Sequence, residues 1–271
     1  MTIIAGLEAI KRKQRDTWPG GDYAAVGTTI PLISELLCDT ADLRAGWRVL
    51  DVAGGSGNTA LAAARCGCRV TSIDYVGELL ERARERAAAE RLDLELLEAD
   101  AESLPFDDAS FDAVISGVGV MFAPDHRRAA RELLRTCRPG GTIALASWTP
   151  DGFVGGMLKT VAAHVPPPPG MQSPVLWGTE EHVRDLFGDQ VVGLRAVRRT
   201  YTFRYRSPEH FVDFFRTHYG PVVTAFAALD DADRGALASD LAALVRRFDR
   251  LVDEPGVAIP AGYLEAVATR A

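Results

Sequence analysis

Val49-Leu50-Asp51-Val52-Ala53-Gly54-Gly55-Ser56-Gly57-Asn58 is an apolar run that passes through an acid into a glycine-rich turn. Residues 59–66 continue with helical periodicity, so the stretch reads as strand, tight turn, helix. A ligand can meet the backbone at such a turn, because glycine lacks the Cβ that would block close approach and visits positive φ without steric cost. Outward from it, short apolar runs alternate with helical patterns over residues 47–148. Strands are expected at 47–52, 69–73, 94–98, 111–116 and 142–148, and crossover helices at 59–66, 78–91 and 125–137. That rhythm predicts an α/β fold with a doubly wound, mostly parallel sheet and helices on both faces. Arg138-Pro139-Gly140-Gly141 reads as the stop of the last of these helices, since proline cannot continue it and glycine accepts the left-handed conformation.

After Trp148 the rhythm changes. Residues 151–190 hold many Gly and Pro, with an exposed loop expected at Pro166-Pro167-Pro168-Pro169-Gly170. One helix starts at Thr179, where Glu180 and Glu181 favour the positive end of the helix dipole. Residues 194–205 are rich in β-branched and aromatic side chains and read as a strand. Ser207-Pro208 opens a helix, with periodicity to about residue 251 and one break at 229–231. Residues 263–269 read as a closing strand. The expected organisation is a core of residues 1–150 whose sheet is completed by 194–205 and 263–270, with 151–193 and 207–257 inserted as a largely helical cap.

Composition excludes several classes. No stretch approaches the roughly 20 consecutive apolar residues of a membrane span, and the N-terminus shows no apolar run followed by a cleavage site. A cytoplasmic protein with no membrane partner is expected. The net charge is -7 and bases are interleaved with acids, so nucleic acid is not an expected partner. Cys38, Cys66, Cys68 and Cys137 form no CxxC pair and have no matching histidines, so no metal site is expected. The sequence does not choose an oligomeric state, and a homodimer stays among its options.

The glycine turn has two chemical readings. Gly55-Ser56-Gly57-Asn58-Thr59-Ala60 satisfies the GxGxx(G/A) dinucleotide fingerprint, with Asp74 as the acid that follows, so an NAD(P)-dependent oxidoreductase is one of them. Three features favour another. Asp51 stands in the approach to the glycines, where a pyrophosphate would gain nothing from an anion. Asp100-Ala101 follows the third strand, and Ser110-Phe111-Asp112-Ala113-Val114 opens the fourth. This set resembles the class I S-adenosylmethionine-dependent methyltransferases, and within them the type 11 branch that includes the ubiquinone and menaquinone biosynthesis enzymes. In that family's motif an acid precedes three glycines at alternate positions; Asp51, Gly55 and Gly57 match, and Ala53 stands where the first glycine is usual.

The resemblance implies a Rossmann-like fold, S-adenosylmethionine as cofactor with S-adenosylhomocysteine as product, and no metal. It implies methyl transfer to oxygen, carbon or nitrogen of a small, largely apolar molecule, in secondary metabolism or quinone-like biosynthesis. By it, Asp51, Ala53, Gly54, Gly55 and Gly57 surround the cofactor, and Asp74 with Tyr75 meets the ribose. Asp100 and Ala101 flank the adenine, and Ser116 lies beside the methionine moiety. Residues 18–23 resemble the family's N-terminal lid and contribute Tyr23.

A general base is harder to place. His126 starts a helix near the strand ends, and His218 and Tyr219 share an aromatic helix face with Phe211, Phe214 and Phe215. These three are the candidates, with His164, His182 and His210 expected on the surface. Trp18, Met121, Phe122, Trp148, Phe153, Trp177 and Phe214 are the expected apolar wall of a substrate pocket. A non-catalytic nucleotide-binding protein is a further alternative, which Ala53 permits.

Overall fold

The computed structural model describes residues 2–251 and 254–271. In chain order its helices and strands are α1 (Thr2–Thr17), α2 (Tyr23–Gly27), α3 (Pro31–Thr40), β1 (Arg48–Val52), α4 (Asn58–Arg65), β2 (Arg69–Asp74), α5 (Gly77–Glu90), β3 (Leu94–Glu98) and β4 (Phe111–Gly117). They continue as α6 (His126–Thr136), β5 (Cys137–Trp148), α7 (Phe153–His164), α8 (Glu180–Phe187), β6 (Val191–Tyr205), α9 (Pro208–His218), α10 (Gly220–Ala227), α11 (Asp231–Phe248) and β7 (Val257–Arg270).

One seven-stranded sheet in the order β3-β2-β1-β4-β5-β7-β6 organises the chain. β1 to β5 pair in parallel, and β7 joins both β5 and β6 antiparallel. Val49, Leu50 and Val52 of β1 are fully buried, as a central parallel strand covered on both faces requires. After β1 the chain winds outward through β2 and β3, then returns across β1 to β4. Strand order therefore reverses between β1 and β4, and an open α/β sheet presents its ligand crevice at the carboxyl ends of the strands beside such a reversal.

The helix starts follow local chemistry. Asp125, Thr179, Ser207 and Asp230 each accept a hydrogen bond from the backbone N–H three residues on, capping α6, α8, α9 and α11. Three expectations need correction. α6 ends at Thr136, and Arg138-Pro139-Gly140-Gly141 already belongs to β5. Gly140 has φ +73°, and the β4–β5 register shifts beside it, so this glycine serves a strand irregularity instead of a helix stop. Helical structure after Ser207 breaks at Tyr219 as well as near 229–231: Tyr219 is extended, and Pro221 stands in the first turn of α10, where proline can start a helix but not continue one. Finally, residues 174–187 are not part of a cap: Trp177 and α8 pack onto α6 and the β5 end of the sheet. The cap consists of α7, α9, α10 and α11, which pack on one another through Phe153, Phe211 and Phe248. Among the described residues no helix is long and apolar enough to cross a membrane.

Candidate active site

Four loops meet at the carboxyl end of the parallel strands, and a cleft of about 940 Å³ opens between them. After β1 come Ala53, Gly54, Gly55 and Ser56; after β2, Asp74 and Tyr75; after β3, Asp100 and Ala101; after β4, Gly117 to Val120. The floor is backbone. A Cβ on Gly54 would strike Ser72 Oγ and Asp51 Oδ2, and one on Gly119 would strike the Ala53 carbonyl, so the two loops touch through their main chains. Ala53 itself has φ +54° and Val118 φ +62°, conformations that side-chain-bearing residues rarely adopt. Backbone strain of this kind concentrates at ligand sites.

Asp74 stands at the end of β2 with only an edge reaching the cleft. Its Oδ2 accepts from the Gly55 N–H at 2.9 Å and its Oδ1 from the Val76 N–H at 3.0 Å. Burial pushes its carboxyl up to about 6, against the pull of those two donors. Asp100 is held by Lys11, whose ammonium lies 2.8 Å from Asp100 Oδ2 and 2.7 Å from Glu102 Oε2. Glu102 N–H donates to Asp100 Oδ1.

Lys11 belongs to a wall of which the sequence suggested only Trp18. Lys11, Gln14, Arg15 and Trp18 of α1 and the turn after it line the cleft from above. Their spacing is i, i+3, i+4, i+7, one face of a helix, which is the signal that would have found them. Gln14 Nε2 donates to the Phe122 carbonyl at 3.0 Å, and the Arg15 guanidinium lies 5.7 Å from the Tyr75 ring centre. α1 is thereby fastened to loops from three strands. Gln14 Oε1, Asn58 Oδ1 and the Tyr75 hydroxyl are buried at the cleft without a partner among the described residues. Buried polar atoms are rarely left so, and three around one cleft mark a place for a polar ligand.

A second chamber of about 350 Å³ adjoins the cleft and shares Tyr23, Ile30, Val118 and Phe122 with it. The remainder of its wall is Val26, Trp148, Val154, Met157, Phe203, Phe215 and Tyr219. Trp18 stands edge-on to Tyr23, Phe122 and Tyr219 where the two spaces meet.

Of the expected cofactor residues, Tyr23, Ala53, Gly54, Gly55, Asp74, Tyr75, Asp100 and Ala101 line the cleft. Asp51, Gly57 and Ser116 do not. Asp51 is fully buried beneath Gly54 with Ser72 Oγ donating to it at 3.2 Å, and burial raises its carboxyl to about 7. Gly57, at φ +86°, takes the tight turn into α4 and packs on Ala83. Ser116 Oγ donates to the Val52 carbonyl at 2.6 Å and accepts from the Val120 N–H at 2.9 Å, tying two loops together from behind. Its neighbour Gly117 faces the cleft instead.

Of the expected apolar wall, Trp18, Phe122 and Trp148 line the two cavities. Met121 is buried away from both, Phe153 packs in the cap against Phe211 and Phe248, Trp177 packs on His126 and Phe187, and Phe214 lies against Tyr205 and His218. Each is an aromatic or long apolar chain whose burial satisfies a core, which sequence pattern does not separate from a pocket.

The expected bases are corrected in the same way. His126 is 1% exposed behind the site, its Nδ1 2.9 Å from His182 Nε2, and burial lowers it to about 4. His182 is therefore half-buried in this pair and not a free surface residue. His218 lies tilted against Phe214 and lines neither cavity. Tyr219 lines the apolar chamber, where burial raises its phenol far above the usual range and keeps it neutral. His164 pairs with Asp240 and His210 accepts from the Arg206 N–H, both remote from the site. Among the described residues no group of three or more His, Cys, Asp or Glu is placed to hold a metal.

Comparison with known proteins adds to this geometry. Residues 50–145 match the family model of a methyltransferase domain. An uncharacterised protein of Mycobacterium tuberculosis is 43% identical over 253 residues, which is 91% of this chain and 92% of that one. A demethylmenaquinone methyltransferase of Clavibacter sepedonicus is 40% identical over 105 residues, 39% of this chain and 42% of its own. Among solved structures, the YcgJ protein of Bacillus subtilis has the same fold, with a TM-score of 0.61 at 20% identity over 88% of this chain and 97% of that one.

Proposed function

We propose that the chain, whose residues 50–145 match a methyltransferase domain, is a class I methyltransferase that binds S-adenosylmethionine in the cleft and methylates a small, largely apolar molecule in the adjoining chamber. S-adenosylmethionine supplies a methyl carbon already activated on a sulfonium, so the protein's task is chiefly positioning. What carries this reading is the lining of the cleft. Gln14 Oε1, Asn58 Oδ1 and Tyr75 OH are orphaned there, polar atoms that a ligand rich in hydroxyl and amino groups can satisfy. In this reading Asp74 accepts from the ribose hydroxyls, and Asp100 and Ala101 flank the adenine. The backbone floor at Gly54 and Gly119 admits close approach, and α1 excludes water from above. Lys11 is neutralised by Asp100 and Glu102, so it offers no free charge to a pyrophosphate. The oxidoreductase and the non-catalytic alternatives gain nothing from the fold or the family.

The acceptor atom is oxygen, carbon or nitrogen, and the relation to a demethylmenaquinone methyltransferase favours quinone-like or secondary-metabolic chemistry. Calorimetric titration with S-adenosylhomocysteine, with NAD(H) in parallel, is the test. Micromolar binding of S-adenosylhomocysteine alone is expected, and binding of NAD(H) in its place would overturn the reading.

A further inference from the structure

The chamber beside the cleft is lined without a single carboxylate, imidazole, amine, guanidinium or thiol among the described residues. Its polar side-chain groups are the Tyr23 and Tyr219 hydroxyls, which can donate or accept, and the Trp148 indole N–H, which only donates. The titratable groups of the neighbouring cleft are otherwise engaged. Asp74 holds Gly55 and Val76, Asp100 holds Lys11, and Arg15 lies over Tyr75. His126 is sealed behind Trp177, and His218 faces Phe214. Among the described residues none is placed to take a proton from an acceptor in the chamber, so the acceptor must bring its own nucleophile.

Two kinds of molecule do that. An amine would leave a methylated ammonium in an apolar chamber with no anion to compensate it, which is costly. An ionised enol or phenol enters as an anion that tyrosyl hydroxyls can solvate, and it leaves neutral. Resting on the methyltransferase reading, we infer that the acceptor is a planar, otherwise uncharged phenol or enol acidic enough to ionise in water, held by Tyr23 and Tyr219 through its oxygen. The acceptor gives its proton to solvent before binding. Its oxygen, or the carbon conjugated to it, then donates an electron pair to the methyl carbon. The carbon–sulfur bond breaks with its pair going to sulfur, and both products are neutral at the reacting atoms. Burial keeps Tyr23 protonated to about 12 and Tyr219 beyond that, so both remain donors throughout.

The test uses the full chain with saturating S-adenosylmethionine and a series of nitrophenols, chlorophenols and cyclic 1,3-diketones of graded acidity. The pH midpoint of kcat/KM is expected to follow each acceptor's own solution pKa, and Tyr219→Phe to lower kcat/KM about tenfold while S-adenosylhomocysteine affinity is unchanged. A single midpoint shared by all acceptors would reveal a protein base and overturn the inference. Preference for amines, or no transfer to any phenol or enol by protein that binds S-adenosylhomocysteine, would overturn the acceptor class alone. Failure to bind S-adenosylhomocysteine would overturn the methyltransferase reading beneath it.

Discussion

Lys11 Nζ lies 2.8 Å from Asp100 Oδ2, joining the N-terminal helix to the loop after the third strand across 89 positions of sequence. With Glu102 it forms a largely buried cluster in which one ammonium serves two carboxylates, and removing it leaves both anions uncompensated. Lys11→Met is expected to loosen α1 and weaken S-adenosylhomocysteine binding about tenfold, roughly 1.4 kcal/mol. Calorimetry checks this. Lys11→Arg should keep most of the affinity, and a full-affinity Lys11→Met protein would show that α1 is not part of the ligand site.

Asp74 makes cofactor binding depend on pH. Its carboxyl titrates near 6 because burial disfavours the charged form, whereas ribose hydroxyls donate best to the carboxylate. Affinity should therefore hold above pH 6 and fall as the pH drops through it. Asp74→Asn should lose about a hundredfold in affinity, roughly 2.7 kcal/mol, and with it the pH dependence. Titrations at pH 5 and pH 8 distinguish the cases, and equal affinity for both proteins would exclude the ribose role.

Asp51 makes stability depend on pH. The unfolded chain releases this proton near 3.9, whereas the folded one keeps it to about 7. Its contribution is fully present below the unfolded value and is lost as the pH rises to about 7, by up to about 4 kcal/mol. Urea unfolding at pH 5 and pH 8 should show roughly 2.7 kcal/mol of that loss from Asp51 in the parent protein, whereas Asp51→Asn should keep only the smaller loss that comes from Asp74.

Ala53 occupies the left-handed region, where a side chain costs about 1–2 kcal/mol. Ala53→Gly removes that cost and adds some unfolded-chain entropy, so a net gain of roughly 0.5–1 kcal/mol is expected. Thermal unfolding measures it, and a fall in Tm would mean that the Ala53 methyl packs more than the turn is strained.

His126→Gln should leave kcat within about twofold while lowering stability by about 1–2 kcal/mol, since the imidazole is a buried partner of His182 and lies off the cavities. A large fall in kcat at unchanged stability would restore it as the base.

The parallel core was legible because each of its central strands is buried on both faces, so Val49 to Val52, interrupted only by Asp51, and Ala113 to Ile115 read as apolar runs bounded by turn chemistry. The glycine turn and the acids ending β2 and β3 were legible for the same reason, since their position follows from the strands. Lys11, Gln14 and Arg15 of α1 were missed although they share one helical face leading to Trp18, which the sequence did suggest, because their stretch of that face is polar and a search for apolar periodicity passes over it. Trp177 and Phe153 were misplaced because a large ring in a core and a large ring on a pocket have the same sequence signature. His126 illustrates the limit for catalysis: it sits at the expected end of the sheet, and only its pairing with His182 shows that it turns inward.

Tyr205 and Val257 are paired neighbours at the tip of the β6–β7 ladder. Everything between them leaves the sheet and returns to adjoining points, so the cost of closing that excursion is already met by strand pairing whatever the excursion contains. Phe211, Phe215 and Tyr219 ride on it, while Ala53, Asp74 and Asp100 belong to a part of the chain it never enters. The architecture thus works as a fixed handle with an interchangeable jaw. Exchanging the segment between β6 and β7 for that of a relative, with matching changes on α7, on α2 and at Trp18 where it packs, is expected to redirect what is gripped while leaving the grip in place.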